Sequence, residues 1–266
     1  MSPGRRWRQR PPSLLVILGL VALVVFALPL VGLLVRTPWS RLPEILGSDV
    51  VADAFRLSIL TSLVATMIAA VLGIPLAWLL ARVDFPGRSL VRGIVTLPLV
   101  LPPVVGGAAL LFALGRRGLI GEPLSQATGL LLPFSTWGVV LANTFVAMPF
   151  LVITVEGALL NLDQRYEGAA ATLGASRWTV LRRVTLPMIS SSLLAGLVLT
   201  WARALGEFGA TITFAGNLAG RTQTLPLAVF VALESDRDVA VAISLVMVAI
   251  SLAVLVALRD RWWRAL

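Results

Sequence analysis

Long apolar runs, separated by short stretches that carry most of the arginines, set the pattern of this chain. The first extends from Ser13 to Val35, and later ones cover Leu57–Ala81, Gly93–Leu114, Thr136–Leu160, Ile189–Ala210 and Val239–Leu258. A bilayer's hydrocarbon core is about 30 Å thick and takes roughly 20 apolar residues per helical crossing. Each run is near that length, so the pattern predicts an all-α, polytopic membrane protein with about six transmembrane helices. The fifth run is the weakest, because it contains Arg203 and Glu207. Two other stretches, Gly118–Phe134 and Thr222–Leu233, are too short or too broken to cross and are expected to be interfacial or re-entrant. The run from Ser13 follows a charged start, yet it is too long for a signal core and no small-x-small site follows it. It reads as a retained first helix.

Composition agrees with this pattern and removes several kinds of chemistry. Of 266 residues, 58% are hydrophobic and 13% charged, with a mean hydropathy of +0.94. A water-soluble domain would have too little polar surface to cover itself at that ratio. The absence of Cys and His removes disulfides, zinc sites, thiol nucleophiles and imidazole bases, which leaves any chemistry to 13 Asp and Glu residues and to hydroxyls; no catalytic residue and no metal site is expected. All 22 basic residues are Arg. Without Lys there is no GxxxxGK[ST] phosphate loop, so the chain cannot hold ATP in that way and no cofactor is expected in it. No repeat or low-complexity tract divides residues 1–266, which are expected to form a single membrane domain.

The net charge of +9 could indicate nucleic acid, but its placement gives a different reading. Six crossings put both termini and every second loop on one side. That side collects fourteen arginines: Arg5, Arg6, Arg8, Arg10, Arg82, Arg88, Arg92, Arg165, Arg177, Arg182, Arg183, Arg259, Arg261 and Arg264. The opposite loops hold seven: Arg36, Arg41, Arg56, Arg116, Arg117, Arg221 and Arg237. The positive-inside rule makes the richer side, and both termini, cytoplasmic. Trp7, Trp262 and Trp263 fall where interfacial aromatics are expected on that side. The charge therefore orients the protein and says nothing of nucleic acid.

The loop between the fourth and fifth runs carries the most information. Its Gln164–Leu173 segment is rich in Ala and should be helical, and Gly174 can stop it with a left-handed cap. Ser176 can cap a second helix, Arg177–Val184, with Pro187 near the start of the next span. The product is a helix–turn–helix along the cytoplasmic face, with Arg177, Arg182 and Arg183 free to meet a partner. The bland alternative is an amphipathic loop whose arginines only enforce topology.

Within RYEGAAATLGASRWTVLRRVTLPMISSSLLAG (Arg165–Gly196), a Gly is followed ten residues on by Val184 and then by Leu186-Pro187. This resembles the EAA loop of ABC importer permeases, here about residues 164–187. The matching positions are Glu167, Gly168, Ala169, Ala170, Gly174, Ala175, Ser176, Val184, Leu186 and Pro187. The resemblance implies that the loop forms coupling helices seated in a cleft of a separate ATPase subunit. In one departure, Gly168 stands where the motif's Glu usually falls, with Glu167 one residue early.

Two further stretches narrow the substrate that the resemblance implies. ARALGEFGATITFAGNLAGRTQTLPLAVF (Ala202–Phe230) is similar to molybdate permeases, whereas sulfate permeases share only its first part. LPLVLPPVVGG (Leu97–Gly107) is similar to the same subfamily. The resemblance implies the type I ABC importer permease fold, a homodimer, a cytoplasmic ATPase that binds the ATP, and an extracytoplasmic molybdate-binding protein. It also implies a bacterial or archaeal cytoplasmic membrane. The rivals are a sulfate, thiosulfate or tungstate permease and, in other classes, a passive anion channel or a membrane enzyme acting on lipid.

A translocation pathway is expected near Pro102, Pro103, Arg203 and Glu207. Prolines in a span free carbonyls, which is tolerated where backbone meets protein or a water-filled cavity; a kink that serves packing alone is the alternative. Gly106 and Gly107 allow a neighbouring helix to come close. Arg203 and Glu207, four apart, share one helix face. Either they neutralise each other and position the fifth helix, or Arg203 meets the oxyanion. Glu156 has no partner in sequence and is expected at the headgroup level.

Overall fold

The computed structural model describes residues 12–262, with side chains described to Val256. Trp7, Trp263 and the arginines at 5, 6, 8, 10 and 264 lie outside the described residues, as do the side chains of Arg259, Arg261 and Trp262. The described backbone forms α1 (Ser13–Arg36), α2 (Leu42–Leu46), α3 (Asp49–Arg82), α4 (Arg88–Val100), α5 (Pro103–Leu114), α6 (Gly121–Thr128) and α7 (Thr136–Asn161). It continues through α8 (Arg165–Thr172), α9 (Arg177–Val180), a π turn (Leu181–Thr185), α10 (Leu186–Met188), α11 (Ser190–Leu205), α12 (Gly209–Phe214), α13 (Leu225–Ser235) and α14 (Arg237–Trp262).

Helices α3 and α7 make the centre. In α3 the buried positions include Ala65, Ala69, Gly73, Ala77 and Ala81, a row of small residues four apart. Such a row lets two backbones approach closely where no water drives association. Helix α7 fills the row: Met148, Leu151 and Val152 lie against Gly73. Helix α11 joins the pair at Gly196, beside Leu151 and Thr154. Leu80, Leu151, Val155 and Leu159 close the core at the end where α3 stops. Two polar contacts fix the register: Trp201 Nε1 donates to Ser62 Oγ at 2.9 Å, and Leu225 N donates to Ser58 Oγ at 2.7 Å.

All six apolar runs are helical, but they are not six uninterrupted helices. Among the described residues, four helices are long and apolar enough to cross a membrane unaided: α1, α3, α7 and α14 as far as Val256. The expected third span breaks at Leu101–Pro102, where Pro102 leaves the helical region (φ −53°, ψ 130°) and Pro103 begins α5. Two consecutive residues without N–H groups cannot continue the ladder, while Pro at the first helical position is well suited to restart it. The expected fifth span bends by 75° at Ile189, between Arg177–Met188 and Ser190–Leu205. It breaks again at Gly206–Phe208, so the predicted run Ile189–Ala210 ends as a helix at Leu205.

Helix α1 differs from the rest. None of its residues is buried, and within the chain it leans on α14. At that end Arg41 reaches Asp238 at 2.7 Å and Asp236 at 3.8 Å, which ties the link after α1 to the start of α14. Of the two stretches judged too short to cross, Gly118–Phe134 contains α6. The other, Thr222–Leu233, begins with the buried trio Thr222, Gln223 and Thr224 and leads into α13.

Candidate functional site

Two regions contain the residues that the sequence singles out. The first is the loop after α7. Helix α8 ends as expected: Gly174 has φ +82°, its N–H donates to Ala171 O at 3.0 Å, and the N–H of Ala175 donates to Ala170 O at 3.1 Å. This bond pair is the Schellman closure, and it satisfies carbonyls that an abrupt stop would orphan. Ser176 then caps α9, accepting from Thr179 N at 3.2 Å. The second helix runs past the expected Val184 and widens into the π turn, where Leu186 N donates to Leu181 O. Pro187 follows immediately; lacking an N–H and crowding the carbonyl four residues back, it favours a widened turn before it.

The loop faces two ways. Gly168, Ala169, Gly174, Ser176 and Pro187 are exposed, and Ala170, Ala175, Val184 and Leu186 are half-buried. Three large side chains missing from the sequence-based set stand out as well: Leu173 is 89% exposed, Trp178 65% and Tyr166 57%. The signal for them was available, since a bulky apolar residue in a short polar loop has no core of its own to enter. Arg182 lies over the Trp178 ring, 5.9 Å from its centre. Glu167 does not join this outward face. It accepts from Thr185 Oγ1 at 2.7 Å, and Arg82 Nη2 sits 3.3 Å from both of its carboxylate oxygens.

The second region is where the broken helices meet. Pro103 packs on Gly209 so closely that a Cβ at Gly209 would fall 2.7 Å from the proline's own Cβ. One turn on, a Cβ at Gly107 would meet Thr213 Cβ at 2.7 Å and Ala210 O at 2.8 Å. Helices α5 and α12 therefore start side by side and run in the same direction. Pro102 and Pro103 are exposed at this junction. Glu207 is buried and makes two bonds, with Arg203 Nη1 at 2.5 Å from Oε2 and Ala210 N donating to Oε1 at 2.8 Å. The carboxylate thus balances a cation in the apolar interior and caps the first turn of α12. Asn143 and Thr211, also absent from the sequence-based set, are buried nearby, with Oδ1 and Oγ1 3.4 Å apart. Polar side chains inside apolar runs were the clue to both.

One expectation is corrected: Glu156 is not without a partner. It is buried, and it accepts from Arg92 Nε at 3.0 Å and from Nη2 of the same guanidinium. A carboxylate buried in protein is stabilised by a cationic partner, and α4 supplies one from 64 positions away.

Residues 73–266 match the family of binding-protein-dependent transport system inner membrane components. The chain is 46% identical to the molybdenum transport system permease protein ModB of Mycobacterium bovis over 84% of each chain. It is 43% identical to ModB of Escherichia coli over 79% of this chain and 92% of that one. The sulfate transport system permease protein CysT of Escherichia coli is 37% identical over 79% of this chain and 77% of its own. Among solved structures, a bacterial alginate ABC transporter in complex with an alginate pentasaccharide-bound periplasmic protein shares the fold. Its TM-score is 0.76 at 19% identity, and 98% of each chain is covered.

Proposed function

Because the chain belongs to the family of binding-protein-dependent transport system inner membrane components, we propose that it is the permease subunit of an ATP-driven importer for molybdate. It is a membrane transport subunit, and ATP hydrolysis belongs to a separate ATPase. The observation that carries the reading is the loop Arg165–Met188, a capped helix–turn–helix whose second arm, Arg177–Met188, is bent 75° from α11, with Leu173, Trp178 and Tyr166 uncovered by its own chain. In this reading the exposed face docks with the ATPase, through Gly168, Ala169, Ala170, Gly174, Ala175, Ser176, Val184, Leu186 and Pro187 and the three bulky side chains.

The working assembly in this proposal is two copies of the chain, each with one ATPase, and a molybdate-binding protein on the opposite side. The fourteen-to-seven arginine bias supports termini and loop on the cytoplasmic side of a bacterial or archaeal cytoplasmic membrane. ATP favours one arrangement of the ATPases, and that difference in affinity is what can drive the loops between two positions. The helices then alternate between facing outward to accept the anion and inward to release it. Pro102, Pro103, Arg203 and Glu207 lie along the proposed path, where backbone irregularity is tolerated because protein or water surrounds it. A path that binds weakly releases readily; capture with high affinity falls to the binding protein.

Molybdate is supported by the identity to molybdenum permeases, which exceeds that to the sulfate permease. Tungstate, of equal charge and nearly equal size, should travel by the same route. Two experiments test the proposal. An ATPase should co-purify with the full-length chain and be lost when residues 164–183 are deleted. Uptake of labelled molybdate in cells should survive excess sulfate and be displaced by tungstate. Uptake abolished by sulfate would move the assignment to sulfate, and a chain that carries no ATPase would remove it from this class.

A further inference from the structure

The acid of the loop faces into the permease. Glu167 leaves α8 pointing back at its own chain, and its side chain is 20% exposed. Arg82, in the last turn of α3, is 9% exposed and spans to both carboxylate oxygens. Thr185, in the π turn, is 1% exposed and donates to the same carboxylate. One carboxylate therefore joins the end of the longest span, the first loop helix and the turn that leads to α11.

What surrounds this junction makes it significant. A cavity of about 860 Å³ lies between the end of α3 and the loop, lined by Trp78 and Arg82 on one side and by Gln164, Gly168 and Trp178 on the other. Interlocked apolar contacts carry displacement well, and a void does not. The ion pair on the cavity wall joins the two sides directly. Arg82 and Glu167 are mostly covered, so their attraction is screened less than that of a fully exposed pair.

We propose that Arg82–Glu167–Thr185 is a strut that carries movement of the α8–α9 loop to the inner end of α3. Glu167 is then a positioning residue and not a contact for the ATPase. The inference rests on the transport reading above. It also accounts for the shift of the acid from the motif's usual place to one residue earlier, because α8 presents position 167 to Arg82 and leaves position 168 exposed.

The test uses the full permease–ATPase complex in proteoliposomes with a molybdate-loaded binding protein. The readout is the ratio of stimulated to unstimulated ATP hydrolysis, with assembly followed by co-purification. Glu167→Gln and Arg82→Gln should retain the ATPase while the ratio falls about fivefold or more, the range expected for loss of a coupling contact. The exchanged pair, Arg82→Glu with Glu167→Arg, should recover a large part of the ratio. Thr185→Val, which keeps the ion pair, should give an intermediate loss and serves as the second measure should either glutamine variant fold poorly. A wild-type ratio in Glu167→Gln overturns the strut. So does loss of the ATPase from Glu167→Gln but not from Arg82→Gln, since Glu167 would then be the docking contact. A wild-type chain that binds no ATPase overturns the transport reading itself, which separates the two failures.

Discussion

Arg92 Nε lies 3.0 Å from Glu156 Oε1, so the first half of the broken third span is held by a carboxylate buried in α7. The two partners sit in different surroundings: the Arg92 side chain is 43% exposed and that of Glu156 only 7%. Removing the arginine strands a charge in the interior, whereas removing the acid returns a half-exposed guanidinium to water. Arg92→Gln should therefore lower the thermal unfolding midpoint in detergent more than Glu156→Gln does. Equal effects would mean that the pair is held as loosely as an ordinary surface bridge.

Glu207 provides a cap as well as a charge. Glu207→Gln keeps an acceptor for Ala210 N, while Glu207→Ala removes it, at about 1 kcal/mol for a lost helix cap. The alanine variant should unfold at the lower temperature of the two. Arg203→Gln should reduce molybdate uptake while leaving assembly intact if the guanidinium meets the anion. If both are unchanged, the pair has neither a positioning nor a transport role.

The close approach of α5 to α12 depends on Gly107. Gly107→Ala should cost about 1–3 kcal/mol, because the new methyl group meets Thr213 and the backbone of Ala210. Gly157, within α7, has nothing within 4 Å of a built Cβ. Gly157→Ala should leave the fold unchanged or stabilise it by up to about 1 kcal/mol. Unfolding midpoints of the two variants, compared side by side, check both signs.

Gly174 is open on all sides, so substitution there tests conformation alone. Gly174→Ala should strain the left-handed cap by about 1–2 kcal/mol and weaken retention of the ATPase. Gly174→Asn, which tolerates that conformation, should retain more. Pull-down yield at matched expression is the measurement, and equal yields would show that the cap is not needed for docking.

Much of this was legible because it is local. The Gly174 cap and the Ser176 cap each depend on residues within a few positions of one another, whereas the prolines at 102 and 103 announced an irregularity without saying that the helix would stop and restart. The ion pairs were not legible. Arg82 and Glu167 are 85 positions apart, and Arg92 and Glu156 are 64 apart. Sequence spacing alone cannot bring them together, so Glu156 looked unpartnered and Glu167 stood only as a loop position one residue early. The Arg203–Glu207 pair was foreseen because it is an i, i+4 pair, yet its bond to Ala210 N exists only because the helix breaks at Gly206. Hydropathy read that segment as one run, since a break that keeps its residues apolar leaves no mark on an average.

Helix α1 contributes no buried residue and, among the described residues, leans on α14 within its own chain, and the family match begins only at residue 73. Its side chains answer to whatever surrounds the protein, whether lipid or a neighbouring subunit, and not to the packed interior. A change of one apolar residue for another along Ser13–Arg36 should pass unnoticed by α3, α7 and α11. That makes it a natural splice point, where a reporter or an affinity module can be attached ahead of the bundle without disturbing the core of α3, α7 and α11.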